Sequence, residues 1–237
     1  MATVFEVFGP IAMFRRPYTT TSSVSYPVPT PTALAGLISA IIGLSNGSEE
    51  RASSANYWQH LKGTQVAVRL LAPLKWRTKS INFWNVKNPA KSPHIQVKHQ
   101  FISNPRYRIY VHGGIEEQLR KQLINNSFVY TPFLGVSYAL AEVKYMGDCS
   151  LEPVRVEEPV DVVTVIPFID ELEIDVEKSL EVFRERIPFC LSEDRELLKT
   201  LPIIYQTNPE RRLRLLKWGD LSVTRCGEDM VAWFPAW

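Results

Sequence analysis

Residues 14–43 read FRRPYTTTSSVSYPVPTPTALAGLISAIIG, a long polar loop running straight into a helix. The loop half, residues 14–31, has no carboxylate and no glycine, and it carries two adjacent arginines, two tyrosines and four prolines. The helix half opens with Thr30 as N-cap and Pro31 at the first helical position. Its apolar residues cover most of the helix surface, which predicts a well buried helix. Gly36 inside it costs about 1 kcal/mol against alanine, and the expected reason is close packing against a sheet. Before the loop, TVFEVFG (residues 3–9) alternates and is rich in valine and phenylalanine, the pattern of a strand.

Further along, TQVAVRLLAPLKWRTKSINFWN (64–85) and HIQVKHQFISNPRYRIYVHG (94–113) read as two long strands. They are joined by the tip VKNPAKSP (86–93), and the pair predicts an extended β-hairpin whose far end has little apolar material to bury. IEEQLRKQLINN (115–126) reads as a helix, with Leu119 and Leu123 on one face and glutamates at its N-terminal end. SYALAEVKYMGD (137–148) reads as a strand. The order strand, helix, strand, strand, helix, strand is that of the split βαβ, ferredoxin-like pattern shared with RNA-recognition modules. The fold class is therefore α+β: a ferredoxin-like (RRM-like) domain over 1–150 with a hairpin protruding at about 75–101, then a smaller, mostly β portion over 151–237. The boundary near 150 is a shift in charge rather than a flexible linker.

The formal net charge of +2 hides a division. From Arg51 to Ile115 there are eleven Lys and Arg, all four histidines, and no Asp or Glu. From Asp148 to Glu196 there are fifteen acidic and five basic residues. Mixed surfaces are the default, so a carboxylate-free stretch of this length points to a polyanion-binding face. The plainer reading is a solvated basic face, or one that docks on the protein's own acidic half.

Single-stranded RNA calls for cations at phosphates, planar side chains for stacking, and polar groups for bases and 2′-hydroxyls. The first arm of the hairpin supplies Lys75, Arg77 and Lys79, interleaved with Trp76, Phe83 and Trp84; the second supplies Lys98, His99, Gln100 and Phe101. Alternate residues of a strand share a face, so Lys75, Arg77 and Lys79 project together, as do Lys98 and Gln100. The plain alternative for the aromatics is core packing. In the loop, Arg15 and Arg16 suit phosphate, Tyr18 can stack, and Thr19, Thr20 and Thr21 can donate to phosphate or ribose. A loop this long in a compact domain is usually functional or disordered.

The three cysteines, Cys149, Cys190 and Cys226, are scattered and odd in number. That argues against a disulfide framework or a zinc site and for a reducing cytoplasm. The start MATVFEVFGP lacks a basic n-region and is not a signal peptide, and the longest apolar helical run is too short for a bilayer. No histidine has a second ligand at metal spacing with a carboxylate nearby, and no phosphate-cradling Gly-rich loop is present, so neither metal nor cofactor is expected.

Three blocks in order, residues 14–43, HQFISNPRYRIYV (99–111) and TPFLGVSYALAEVKYMGD (131–148), resemble the Cas-five family, the RAMP-type subunit of CRISPR type I Cascade complexes. The first block, an Arg-x-Pro-Tyr, a Thr/Ser run, a Tyr-Pro and a glycine-bearing helix, is the most specific. The resemblance covers about the first 150 residues, with subtype I-B or a near relative implied. It implies a ferredoxin-like body with a thumb hairpin and a non-catalytic subunit that caps the 5′ handle of the CRISPR RNA (crRNA). Its partners would be the Cascade backbone and large subunits, with target DNA reached only through the complex. One branch of the family, from type I-C systems, cuts precursor CRISPR RNA without metal, using a Tyr, Lys and His. Metal-free cleavage needs a base for the 2′-hydroxyl and a donor for the leaving oxygen. The candidates here are Tyr18, Lys98 and His99, with Tyr107 and His112 as further options. A third reading is a basic scaffold protein that binds an acidic protein partner.

Overall fold

The computed structural model describes residues 1–19, 22–47, 54–154 and 159–237. Thr20 and Thr21 of the loop lie outside the described residues.

Six elements make the N-terminal body: β1 (Ala2–Phe8), α1 (Pro31–Ile42), β2 (Gln65–Leu70), β5 (Arg106–His112), α2 (Glu116–Ile124) and β6 (Glu142–Cys149). Between β2 and β5 lie the two arms of a hairpin, β3 (Trp76–Trp84) and β4 (His94–Ser103). The body strands form one antiparallel sheet in the order β6-β1-β5-β2. α1 is capped as its sequence predicts. The Thr30 hydroxyl accepts from the Ala33 amide, and Gly43 ends the helix in the left-handed region at φ 82°. β6 is shorter than the sequence pattern suggests: 137–141 is loop, because Gly135 turns the chain there at φ +91°, against the Met13 carbonyl.

The two long predicted strands each break into two. The inner halves, β2 and β5, pair in the body; the outer halves, β3 and β4, pair in a second sheet from Trp76↔Ile102 to Trp84↔His94. The breaks fall at Ala72–Pro73 and Asn104–Pro105, where proline cannot donate to a ladder. Asn104 sits in the left-handed region at φ 47°.

One face of the body sheet carries Phe5, Val7, Tyr107, Ile109 and Val111 against α1 and α2. That core also takes in Val165, Ile187, Phe189, Ile203 and Phe234, so the C-terminal portion shares it. The other face holds Val4, Ala67 and Tyr110 and is covered by Cys226, Val231 and Trp233 from the C-terminal hairpin Val223–Cys226/Asp229–Ala232. The free edge of β2 is closed by the same portion: Val165 N donates to Val68 O at 2.8 Å and Phe234 N to Val66 O at 2.9 Å.

Two sequence expectations are corrected here. Cys149 and Cys226 form a disulfide across 77 residues, with Cα atoms 5.5 Å apart. Sheet register brings them together, since Leu151 pairs with Cys226, and spacing along the chain cannot reveal that. The cysteine pattern therefore no longer argues for a reducing compartment; Cys190 alone is free. Gly36 does not pack against the sheet. It is exposed, and a Cβ there would meet nothing within 4 Å. No helix among the described residues is long and apolar enough to cross a membrane.

Candidate nucleic-acid interface

The long loop is stitched to the hairpin. Ile11–Ala12 pairs antiparallel with Ser103 and Ile102 of β4, and Ser22–Ser23 pairs parallel with Lys98 and His99. The loop also folds on itself, Phe14↔Tyr26 and Arg15↔Ser25. The Ser25 amide donates to the Gln100 side-chain oxygen at 3.4 Å. Two short segments of the loop thus join the hairpin's sheet, and Arg15, Tyr18 and Thr19 lie in the stretch between them.

The two arginines of that loop differ. Arg16 is held inside the fold. Its Nη2 donates to Glu185 Oε2 at 2.6 Å, its Nη1 to the Tyr18 hydroxyl at 2.7 Å, and its guanidinium lies 5.0 Å over the Tyr26 ring. Burial works to lower its pKa, and the bonds to Tyr18 and Glu185 outweigh that, leaving it raised. Arg15 is exposed, forms no ion pair with a described residue, and its Nη2 donates to the Thr19 carbonyl at 3.4 Å. Tyr18 is 66% exposed, its ring open to solvent.

The hairpin has two unlike faces. Arg77 opposite Phe101, Lys79 opposite His99 and Phe83 opposite Ile95 make a row of cations and rings. Thr78 opposite Gln100, Ser80 opposite Lys98 and Asn82 opposite Gln96 make a polar row, ended by Trp76 and Trp84. The two cation sets therefore sit on opposite faces, and Lys75 stands at the root, its carbonyl accepting from Ser103 N at 2.8 Å. Lys75, Arg77, Lys79, Lys87, Lys91 and Lys98 form no ion pair with a described residue.

His99 and Phe101 are not open stacking platforms. They are 5% and 2% exposed. The His99 ring stacks on Phe83 at 5.5 Å and on Phe101 at 5.9 Å, and its Nδ1 is 3.1 Å from the Val97 carbonyl. Tyr138 closes the stack edge-on, 6.4 Å from His99 and 6.3 Å from Phe101. Burial raises the Tyr138 hydroxyl pKa, and the nearby Arg15 charge opposes it. Tyr138 is a site residue that the strand-like pattern of 137–148 hides from sequence reasoning; Gly135 is the signal for the turn that presents it.

The other nuclease candidates stand apart. Tyr107 is buried in the body core, its hydroxyl without a partner among the described residues, and burial drives its pKa far up. His112 lies at the far end of β5, bonded to the Met1 carbonyl at 2.7 Å and 3.4 Å from Glu116. No group of three His, Cys, Asp or Glu that could hold a metal occurs among the described residues.

Part of the carboxylate-free stretch is neutralised at home. Glu6, 2% exposed, receives Arg106 Nε at 2.9 Å and Arg108 Nη2 at 2.8 Å. Asp229 receives Arg69 at 2.6 Å, Arg108 at 3.4 Å and the Tyr110 hydroxyl at 2.6 Å. Burial acts to raise the Glu6 carboxyl, but the bonds from Arg108 and Arg106 outweigh it and hold the group below its ordinary value.

Among solved structures, the chain is similar to a protein of a "CRISPR RNA-guided surveillance complex" (TM-score 0.56, 15% identity, 87% of this chain and 90% of that one). It is also similar to a CRISPR protein from Archaeoglobus fulgidus (TM-score 0.54, 15% identity, 98% of each chain). A third is a chain of a Type III-B Cmr-beta complex bound to cognate target RNA and AMPPnP (TM-score 0.51, 11% identity, 90% and 86%). At these identities the likeness is one of fold. No curated protein matches the sequence significantly. The family model described as "CRISPR-associated protein (Cas_Cas5)" matches residues 3–111, the span from the first strand through the loop, α1 and both hairpin arms to β5. Over that span, a little under half of the chain, the sequence matches the CRISPR-associated Cas-five family.

Proposed function

We propose that this protein is a non-catalytic RNA-binding subunit of a type I CRISPR Cascade complex, of subtype I-B or a near relative, that caps the 5′ handle of the crRNA. The observation that carries the reading is the shared sheet of loop and hairpin. Around it the loop and hairpin carry six cations that form no ion pair with a described residue, three of them on the strands, together with Arg15 and the open rings of Tyr18, Trp76 and Trp84. Single-stranded RNA is gripped by this combination of charges along the backbone and rings under the bases. The strand order β6-β1-β5-β2 with α1 and α2 on one face supports a ferredoxin-like body, and the exposed β3–β4 arms support a thumb. In an RNA-recognition module the open sheet face takes the RNA; here that face is covered, which favours the loop and hairpin as the binding surface. Backbone and large subunits would be its neighbours, and target DNA would be met through the complex.

The nuclease reading needs a base and a donor converging on one phosphate. Tyr18 is in the loop, His99 is enclosed between rings, and Lys98 points to the other face of β4, which supports binding over cleavage. The decisive assay incubates the purified chain, in EDTA, with precursor RNA spanning one repeat. The expected result is intact RNA and tight binding of the handle. Specific cutting at the handle boundary, abolished by His99→Ala or Tyr18→Phe, would overturn this assignment.

A further inference from the structure

Gly36 sits in the middle of α1, where glycine is the least favourable residue short of proline. Nothing among the described residues requires it: the position is exposed, and a side chain there would touch none of them within 4 Å. It lies on the wall of a groove of about 530 Å³ formed by the outer side of α1, the segment after α2, and the turn between the strands Phe183–Leu191 and Leu197–Tyr205. Tyr57, Tyr130 and Phe133 give the groove aromatic walls, the last two well exposed. The segment carrying them is fixed on the helix, with Tyr130 N donating to Ala40 O at 3.0 Å.

Two polar groups stand out in this apolar setting. Ser39 lines the groove, is 3% exposed, and its Oγ has no hydrogen-bond partner among the described residues. A buried hydroxyl left unpaired costs stability unless something completes it. Among the described residues, Arg195 is the sole charged one in the lining. Its backbone is in the left-handed region at φ 63°, and its Nη2 donates to the carbonyl of Asn46, another lining residue, at 2.8 Å.

We propose that this groove docks an extended segment of a partner protein, one that places an apolar side chain beside a carboxylate. The apolar side chain fills the aromatic walls and the carboxylate meets Arg195. The segment's backbone passes over Gly36, close enough that any Cβ would obstruct it. A nucleic-acid strand is the poorer occupant. It needs a cation near each phosphate, and the groove has one, whereas the loop and hairpin hold seven cations free of ion pairs. The proposal rests on the reading of the chain as a subunit of a larger complex, but not on which RNA that complex carries.

The test places the photocrosslinker p-benzoylphenylalanine at Ala40, on the groove wall, in the complex assembled with its RNA and other subunits. The expected adduct is resistant to ribonuclease and maps to one segment of one subunit, with an apolar residue next to Asp or Glu. A synthetic peptide copying that segment should bind the isolated chain. Gly36→Leu and Arg195→Glu should each weaken that binding by about ten-fold or more, with handle affinity unchanged and, for Gly36→Leu, a melting temperature that does not fall. Leucine is a better helix former than glycine, so the first variant should fold. A ribonuclease-sensitive adduct, adducts scattered over several proteins, no adduct, or peptide affinity indifferent to both substitutions would each overturn the proposal. Because handle affinity is measured on the same proteins, a failure of the RNA reading would appear separately, as weak handle binding by the wild type.

Discussion

Arg15 and Arg16 are neighbours in sequence and opposites in environment. Arg16 is bonded to a carboxylate 169 positions away, and both side chains of that pair are about one-fifth exposed. Arg15 has no such partner. Replacing Arg15 with Ala should therefore leave the melting temperature unchanged and weaken handle RNA binding about ten-fold, the low end for one charge-assisted bond. Replacing Arg16 with Ala should cost about 1–2 kcal/mol of stability, measured by urea unfolding, and Glu185→Ala should cost a similar amount. Equal effects of Arg15→Ala and Arg16→Ala on both readouts would contradict the division. Glu6 makes a second residue-scale case. Its folded carboxyl is held below the ordinary 4.5, so the stability it contributes is complete above that value and disappears as pH falls through the lower, folded value. Wild-type stability should drop on acidification below pH 4.5. Glu6→Gln should begin about 2 kcal/mol less stable at pH 7 and show a flatter acid limb, read from denaturant midpoints between pH 7 and pH 3. None of this was legible in the sequence. Two adjacent arginines look alike until the fold delivers a partner to one of them, and a lone Glu6 in a strand says nothing about Arg106 and Arg108.

At the scale of elements, the hairpin was legible in outline and not in construction. Alternation and β-rich composition run without pause through 64–85 and 94–113, so both read as single strands. The switch from the body sheet to the outer sheet is marked only by Pro73 and by Asn104–Pro105. Alternation did separate Arg77 and Lys79 from Lys98 and Gln100. It could not tell which of the rings would be enclosed, because the cover comes from Tyr138, on a distant loop. The consequence for motion follows from burial. At the body end, Phe101 and Ile102 are buried, whereas beyond Trp84 and His94 the chain is exposed throughout 85–95 except Asn85. Local opening is cheap where few apolar contacts are lost. Hydrogen exchange of the isolated chain should be fast over residues 85–93 and slow at Phe101 and Ile102, with the tip gaining protection in the assembled complex. Slow exchange at the tip of the isolated chain would count against a hairpin that is ordered by its partners.

For the whole molecule, the division of charge seen in the sequence resolves into two parts. Its inner part is satisfied within the chain: Asp229, from the C-terminal portion, meets Arg69 and Arg108 where that portion covers the body sheet, and Glu6 meets Arg106 and Arg108. The disulfide between Cys149 and Cys226 fastens the same two layers. Arg69, Arg106 and Arg108 are thus neutralised by carboxylates that lie outside the acidic stretch 148–196, whereas the hairpin cations form no ion pair with a described residue. This partition makes a prediction that total charge does not. Binding of single-stranded handle RNA should fall with salt, with a slope of log affinity against log salt of about −3 if four or five phosphates are neutralised. Removing two hairpin cations together, Arg77→Ala with Lys79→Ala, should reduce the slope's magnitude by about 1 to 2 and leave stability alone, since neither side chain has an internal partner. Arg108→Gln should do the reverse, lowering stability and leaving the slope unchanged, because its charge is already spent on Glu6 and Asp229. A flat salt dependence in the wild type would dismiss the electrostatic grip altogether. A slope that fell equally for both variants would mean that RNA reaches the covered face of the body sheet, and that the C-terminal layer must lift to admit it.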